Sequence, residues 1–162
     1  AHNPGSNMKL GNGVAPVPRL LQEGVCVGLG TDGAASNNNL DMLEEVRLAA
    51  LLHKVNRLDP QAVPALEAVR MGTEYGAKAI GLKDTGRLAV GQQADIALIS
   101  LRSTAFCPKH NLVSLLAYSA SSSTVDTLLV AGRVLMEKGE LKTLDEERIL
   151  FEAQRCADRL TN

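Results

Sequence analysis

The sequence predicts an α/β chain that changes character near Leu82 and ends in a helix. Three observations carry this reading. Residues 25–30 (VCVGLG) form an apolar run without polar alternation, as in a strand covered on both faces. The run passes through the loop GTDGAASNNN into the amphipathic segment LDMLEEVRLAALLHK, and strand, loop and helix in that order make half of a β/α repeat. Beyond Leu82 the short apolar runs DIALISL, TLLVAG and RVLMEKG, punctuated by glycines, read as antiparallel strands.

In chain order, HNPGSN (residues 2–7) collects turn formers and is expected as a loop. Pro16 and Pro18 fit a helix start that Leu20 and Leu21 continue and Gly24 stops. The helix after residue 39 places Leu43, Val46, Ala50 and His53 near helical spacing. Glu44 and Glu45 there suit a solvated face, with Arg47 and Lys54 offsetting part of their charge. A second helical block covers residues 63–81: Pro64 fits its first turn, Gly72 divides it, and Thr73 heads a short helix that Gly81 closes. Gly132 falls in a hairpin turn between the runs ending at Val130 and starting near Val134. Residues 110–120 read as a helical insertion. A last helix from about Asp145 carries the apolar stripe Ile149, Ala153, Cys156 and Leu160.

Composition excludes several classes of function. With 162 residues, 45% hydrophobic and 22% charged, the chain can bury a core without disulfides. Seventeen basic residues against 18 acidic ones leave no excess of positive charge for phosphates. Two Phe, two Tyr and no Trp provide little surface for base stacking, so nucleic acid is excluded as a partner. No apolar run approaches the ~20 residues of a membrane span and no basic-then-apolar leader opens the chain, so a membrane partner is not expected either. Cys26, Cys107 and Cys156 are odd in number, widely spaced and form no C-x-x-C pair, which points to a reducing, cytoplasmic setting. Cys26, inside an apolar run, reads as a buried small hydrophobe.

Asp32 is the informative residue for chemistry. It lies just past the apolar run, in Gly30-Thr31-Asp32-Gly33, ahead of a helix. In parallel α/β architecture the C-terminal ends of strands face the active site, and a carboxylate there can bind a cation or move a proton. The alternative is an Asx-turn in which Asp32 bonds its own loop backbone. His2 and Asn3 occupy a comparable place if a strand precedes them. His53 reads as a packed or partly exposed histidine, and His110, between Lys109 and Asn111, as loop or helix-cap chemistry. These histidines make no His-x-His or H-E-x-x-H signature, and Asp32 is one ligand where a catalytic zinc takes about three from protein. Gly11-Asn12-Gly13 is a turn and not a phosphate loop. Asn37, Asn38 and Asn39 either bond a ligand or cap the helix that follows.

HNPGSNMKL (residues 2–10) and GTDGAASNNNLDM (residues 30–42) resemble the amidohydrolase superfamily, most closely its 5-methylthioadenosine/S-adenosylhomocysteine deaminases. GRLAVGQQADIALISL (residues 86–101) and TLLVAGRVLMEKG (residues 127–139) resemble the same family's later β segments, in collinear order. The resemblance implies the C-terminal part of a metal-dependent (β/α)8 barrel at residues 1–82, strands of a small β-sandwich at 83–140, and a C-terminal helix at 141–162. It also implies that Asp32 ligates a single divalent metal, usually zinc, contacts the substrate's attacking water and accepts its proton. The implied reaction is hydrolytic deamination of an adenosine-type nucleoside at C6, with ammonia released. The family's His-x-His pair, two further histidines and a catalytic Glu have no counterparts here and are expected upstream of residue 1. On that expectation the chain alone is inactive, and it forms a homo-oligomer or associates with the missing barrel segment through its uncovered apolar faces. Chlorotriazine-type or guanine-type substrates share much of the pattern, and a non-catalytic assembly or binding fragment is the alternative from another class.

Overall fold

The structure, a computed structural model, describes residues 1–161. Helices dominate the first part: α1 (Pro4–Leu10), α2 (Val17–Gln22), α3 (Ala34–Asn37), α4 (Met42–Arg57), α5 (Ala65–Gly72) and α6 (Glu74–Ala79). Then come β1 (Ile96–Ile99), α7 (Leu112–Ser119), β2 (Val125–Val130), β3 (Arg133–Glu137), β4 (Glu140–Leu141) and α8 (Glu146–Thr161). The α/β class holds, and α7 interrupts the strands between β1 and β2.

Two elements near the start differ from expectation. HNPGSN is not a loop: Pro4 occupies the first turn of α1, where its missing N–H costs nothing, and Gly11 in the left-handed region ends that helix. Residues 25–30 are extended but form no full strand, because only Leu29 makes a ladder contact, a parallel bridge to His2. The bridge consists of His2 N–H to the Gly28 carbonyl at 2.8 Å and Gly30 N–H to the His2 carbonyl at 3.1 Å. On its other side Leu29 N–H donates to the Met71 carbonyl of α5 at 3.0 Å, a helix terminus where a strand would continue the sheet. Val25 is 46% exposed, so the run is covered on both faces only around Val27 and Gly28.

The core gathers where the sequence places its apolar stripes. Val46 and Ala50 of α4, Ala68 and Met71 of α5 and Ala117 of α7 pack with Val17, Val27 and Val63, and Leu20, Leu29, Val69 and Tyr118 close around them. Asp41 fixes the start of α4 by accepting the Leu43 and Glu44 amides, while its second oxygen accepts Ser122 N–H at 2.9 Å. That bond, with Arg47 donating to the Ala120 carbonyl, anchors α4 to the segment leading into β2. Gly72 divides α5 from α6 as expected, and it is small by necessity: a Cβ there would lie 2.9 Å from Val46 Cγ2. Thr73 does not cap α6 with its side chain; its hydroxyl turns back to the Val69 carbonyl at 2.8 Å.

The strands form one antiparallel sheet in the order β1-β2-β3-β4. Ala131 and Gly132 both have positive φ, the requirement of a two-residue type I′ hairpin, so the turn falls where the glycine suggests. Asp95 joins the sheet to its lead-in, accepting Ala131 N–H at 2.7 Å and the Thr85 hydroxyl at 2.7 Å. The residue before α7, Asn111, caps it by accepting Ser114 N–H, and the neighbouring His110 is exposed. Helix α8 buries none of its residues, so the stripe Ile149, Ala153, Cys156 and Leu160 lies open rather than packed. All three cysteines are free, and Cys26 is half-buried with its thiol donating to the Tyr75 carbonyl.

Met71 is fully buried in this core. Its truncation, Met71→Ala, is expected to lower unfolding free energy by about 3 kcal/mol, through lost transfer energy and the cavity left behind. Urea denaturation measures the change, and a loss below about 1 kcal/mol would mean that the surrounding helices collapse into the space.

Candidate functional site

The parallel bridge sets two chain segments side by side, and each turns directly into a helix. Residues 2–3 lead into α1 and residues 28–33 lead into α3, so the first turns of both helices rise beside one loop. Asp32 sits in that loop with φ of 64°, a left-handed conformation that Asp tolerates better than most residues. Its side chain is exposed, and both of its hydroxyl donors fall on one oxygen. Ser6 Oγ of α1 and Ser36 Oγ of α3 each donate to Asp32 Oδ2 at 2.7 Å. Oδ1 accepts neither hydroxyl. The Ser36 hydroxyl first, then that of Ser6, then the Gly33 amide hold the carboxyl below the usual carboxylate range. Asp32 is thus oriented by side chains from two elements, one of them 26 residues away, and is more than the centre of an Asx-turn.

A second set of bonds locks the two helices together. Lys9 of α1 donates to the Ala35 carbonyl at 2.8 Å and to Asn38 Oδ1. Glu45 of α4 accepts Gly5 N–H at 2.9 Å and Asn37 Nδ2 at 2.7 Å. Glu45 is 1% exposed, which corrects the expectation of a solvated face: one turn along from Asp41, it points under the loop rather than into water. Glu44 keeps part of its exposure and accepts from Asn39. The asparagines are occupied by structure. Asn37 Oδ1 accepts Leu40 N–H, Asn39 Oδ1 accepts Asp41 N–H, and the cap of α4 itself is Asp41.

His2 and His53 form a buried pair, 2% and 0% exposed, with their Nε2 atoms 3.1 Å apart. One ring nitrogen donates and the other accepts, so the contact requires at least one neutral imidazole. Burial, the neighbouring His53 and the amino terminus push His2 down to about 4, and burial also lowers His53. His2 therefore joins residues 1–3 to α4 through His53, while Asn3, with its amide turned nitrogen-inward, donates to the His2 and Gly30 carbonyls. Among the described residues, no group of three or more His, Cys, Asp or Glu side chains could hold a metal. Sequence reasoning missed Ser6, Ser36, Glu45 and the His2–His53 contact. The local signals were the spacing of Ser36, four residues after Asp32, and the place of Glu45 on the inward face of its helix.

A model of the amidohydrolase family matches residues 1–135. The chain belongs to the amidohydrolase family. It is 57% identical over its whole length to a 5-methylthioadenosine/S-adenosylhomocysteine deaminase of Pelotomaculum thermopropionicum, of which it covers 37%. It is 50% identical to a 5'-deoxyadenosine deaminase of Methanothermobacter thermautotrophicus, over 99% of this chain and 38% of that one. The amidohydrolase chain superposes on a zinc-bound adenosine deaminase of Xanthomonas campestris with a TM-score of 0.96 at 37% identity, over 99% of this chain and 37% of that one. A zinc complex of an atrazine chlorohydrolase of Arthrobacter aurescens gives 0.86 at 34% identity, covering 95% and 34%. The chain thus spans little more than a third of the length of these relatives.

The histidine pair makes stability pH-dependent. Both histidines are depressed in the fold, so below their unfolded value of 6.5 the unfolded chain binds more protons and stability falls. The loss runs from about pH 6.5 downward as pH approaches His2's folded value of about 4. It amounts to about 3 kcal/mol for His2 at full extent. Urea denaturation at intervals between pH 7 and 4 measures it. His2→Gln, which keeps a partner for His53 but does not titrate, is expected to flatten that slope; an unchanged slope would place the protons elsewhere.

Proposed function

We propose that this chain supplies the Asp32 end of an aminohydrolase active site, in a protein that removes ammonia from an adenosine-type nucleoside such as 5-methylthioadenosine or S-adenosylhomocysteine. The single observation behind the reading is Asp32 itself: an exposed carboxylate at the mouth of two parallel segments, with both hydroxyl donors on Oδ2. Relatives named for that activity match the chain from end to end. The higher superposition score belongs to an adenosine deaminase and not to the triazine hydrolases, which favours the nucleoside over a chlorotriazine ring.

The donor set fits a divalent metal in part. Asp32 offers a hard oxygen ligand whose hydroxyl bonds keep it ionised, and ligands must be deprotonated to bind. One ligand does not make a site, so the others belong to the two-thirds of the relatives' length that this chain does not cover. Zinc bound there supplies Lewis-acid activation of water. The rest is the work of this chain's residues. Ser6 and Ser36 fix the carboxylate plane and leave the second oxygen toward the reacting centre. Asp32 takes the proton that the attacking water loses as it adds to C6 of the purine; that proton leaves with ammonia, and the water's second proton ends on N1 of the 6-oxo product. The same carboxylate contacts the substrate through that water.

The architecture follows the same reading. Residues 1–82 are assigned to the closing part of a (β/α)8 barrel, 83–140 to a small β-sandwich and 141–162 to a terminal helix. The parallel His2–Leu29 bridge supports the first assignment. The second is supported by β1, which lies at an edge of the sheet and leaves one side open to a further strand. No helix among the described residues is long and apolar enough to cross a membrane.

The test is a chimera in which these 162 residues replace the matching region of the Pelotomaculum relative. The chimera is expected to bind zinc and to release ammonia from 5-methylthioadenosine faster than from a chlorotriazine. Asp32→Asn is expected to lower kcat about 10³-fold, within the range of a lost proton acceptor. An Asp32→Asn chimera that keeps more than half of its activity would overturn the assignment.

A further inference from the structure

We infer that Glu45 is a positioning residue for Asp32: it sets the two serines that aim the carboxylate, and so sets how tightly the site holds its metal. The inference rests on the reading of Asp32 as a metal ligand. Its basis is a closed ring of contacts. Glu45 Oε2 accepts Gly5 N–H at 2.9 Å, and the next residue, Ser6, donates to Asp32 Oδ2 at 2.7 Å. Glu45 Oε1 accepts Asn37 Nδ2 at 2.7 Å, and the residue before it, Ser36, donates to the same Oδ2 at 2.7 Å. One carboxylate on α4 therefore holds both hydroxyl donors of another, through the helix turns that carry them.

Two further observations set Glu45 apart from an ordinary helix acid. Gly5 leaves room for it: a Cβ on Gly5 would lie 2.3 Å from Glu45 Oε1 and 2.9 Å from Asn37 Nδ2, so the seat admits the carboxylate only if residue 5 has no side chain. Glu45 is also 1% exposed and makes no ion pair among the described residues. Burying an acid that way is costly unless its oxygens are bonded, and an apolar side chain of similar size would cover the same face at less cost. What an apolar residue could not do is accept one bond from each of two loops. Ser6 and Ser36 are the supports one hydrogen bond removed from Asp32; loss of such a support typically weakens metal binding about 10–100-fold, and Glu45 acts through both.

The chimera described above, loaded with zinc, tests the inference by zinc retention against a competing chelator, with kcat and thermal unfolding measured alongside. Glu45→Gln keeps the volume but must present its amide nitrogen to one of two donors. It is expected to weaken zinc retention about tenfold. Gly5→Ala, which disturbs the same seat from α1 and leaves Glu45 in place, is expected to do the same. Removing both serines supplies the decisive comparison: in a Ser6→Ala, Ser36→Ala background, adding Glu45→Gln weakens zinc by no more than about twofold further if Glu45 acts through them, whereas a merely structural role multiplies the losses. Multiplied losses, or Glu45→Gln holding zinc within twofold of the parent, would overturn the inference. Should Glu45→Gln fail to accumulate as folded protein, Gly5→Ala decides, and unchanged zinc retention there overturns it equally. Asp32→Asn separates the two levels. Zinc retention unaffected by Asp32→Asn sinks the metal-ligand reading itself, while zinc lost with Asp32→Asn but kept with Glu45→Gln sinks only the role of Glu45.

Discussion

Two backbone hydrogen bonds, from His2 N–H to the Gly28 carbonyl and from Gly30 N–H to the His2 carbonyl, fix the geometry on which the first half of the molecule depends. They hold two extended segments in parallel, so that each leaves its last paired residue pointing the same way. Parallel neighbours place the chain ends that follow them on one side, which is why loops from distant sequence positions can build a single site. Ser6 reaches Asp32 across 26 residues of chain only because of this alignment. The buried His2–His53 contact secures it from below, joining the same segment to the longest helix of the core.

The site is built in layers of decreasing exposure. Asp32 is exposed, Ser6 behind it is buried, and Glu45 behind both is nearly fully buried. Ser6 donates to Asp32, Glu45 accepts from the neighbouring Gly5 amide, and Glu45 belongs to a helix that packs into the hydrophobic core through Val46 and Ala50. Rigidity in the core is transmitted to the carboxylate by hydrogen bonds of ordinary length, without a salt bridge. Such an arrangement preorganises a ligand before any metal arrives, and so reduces the ordering that binding must pay for.

Much of the fold was legible where local chemistry agreed with packing. The stripe of Val46, Ala50 and His53 set the buried face of α4, Gly72 marked the break between α5 and α6, and Gly132 marked a hairpin turn. The failures have physical causes. HNPGSN contains turn formers that also start helices: Pro4 suits a first turn, and the orphan amide of Gly5 is satisfied by an acid 40 residues away, which no local pattern can show. Residues 25–30 look like a full strand because apolar content reports burial and not ladder partners. Asp32 was legible as a candidate because its position after an apolar run is a local property. Its partners were not, since Ser6 and Glu45 become neighbours only through the parallel bridge. The acid at position 45 did carry a faint sign, lying four residues before Ala49 and eight before His53, on the face that turns inward.

The strand-bearing half has a different character. A second pair of positive-φ residues, Lys138 and Gly139, joins β3 to β4 as Ala131 and Gly132 join β2 to β3. Both connections close over two residues, so these three strands can find one another without a long search, on the ~1–10 μs scale of an isolated hairpin. The pairing of β1 with β2 must instead close the loop of residues 100–124, which contains α7 and its contacts with the core. By loop length alone, the meander is the faster pairing and β1–β2 the slower.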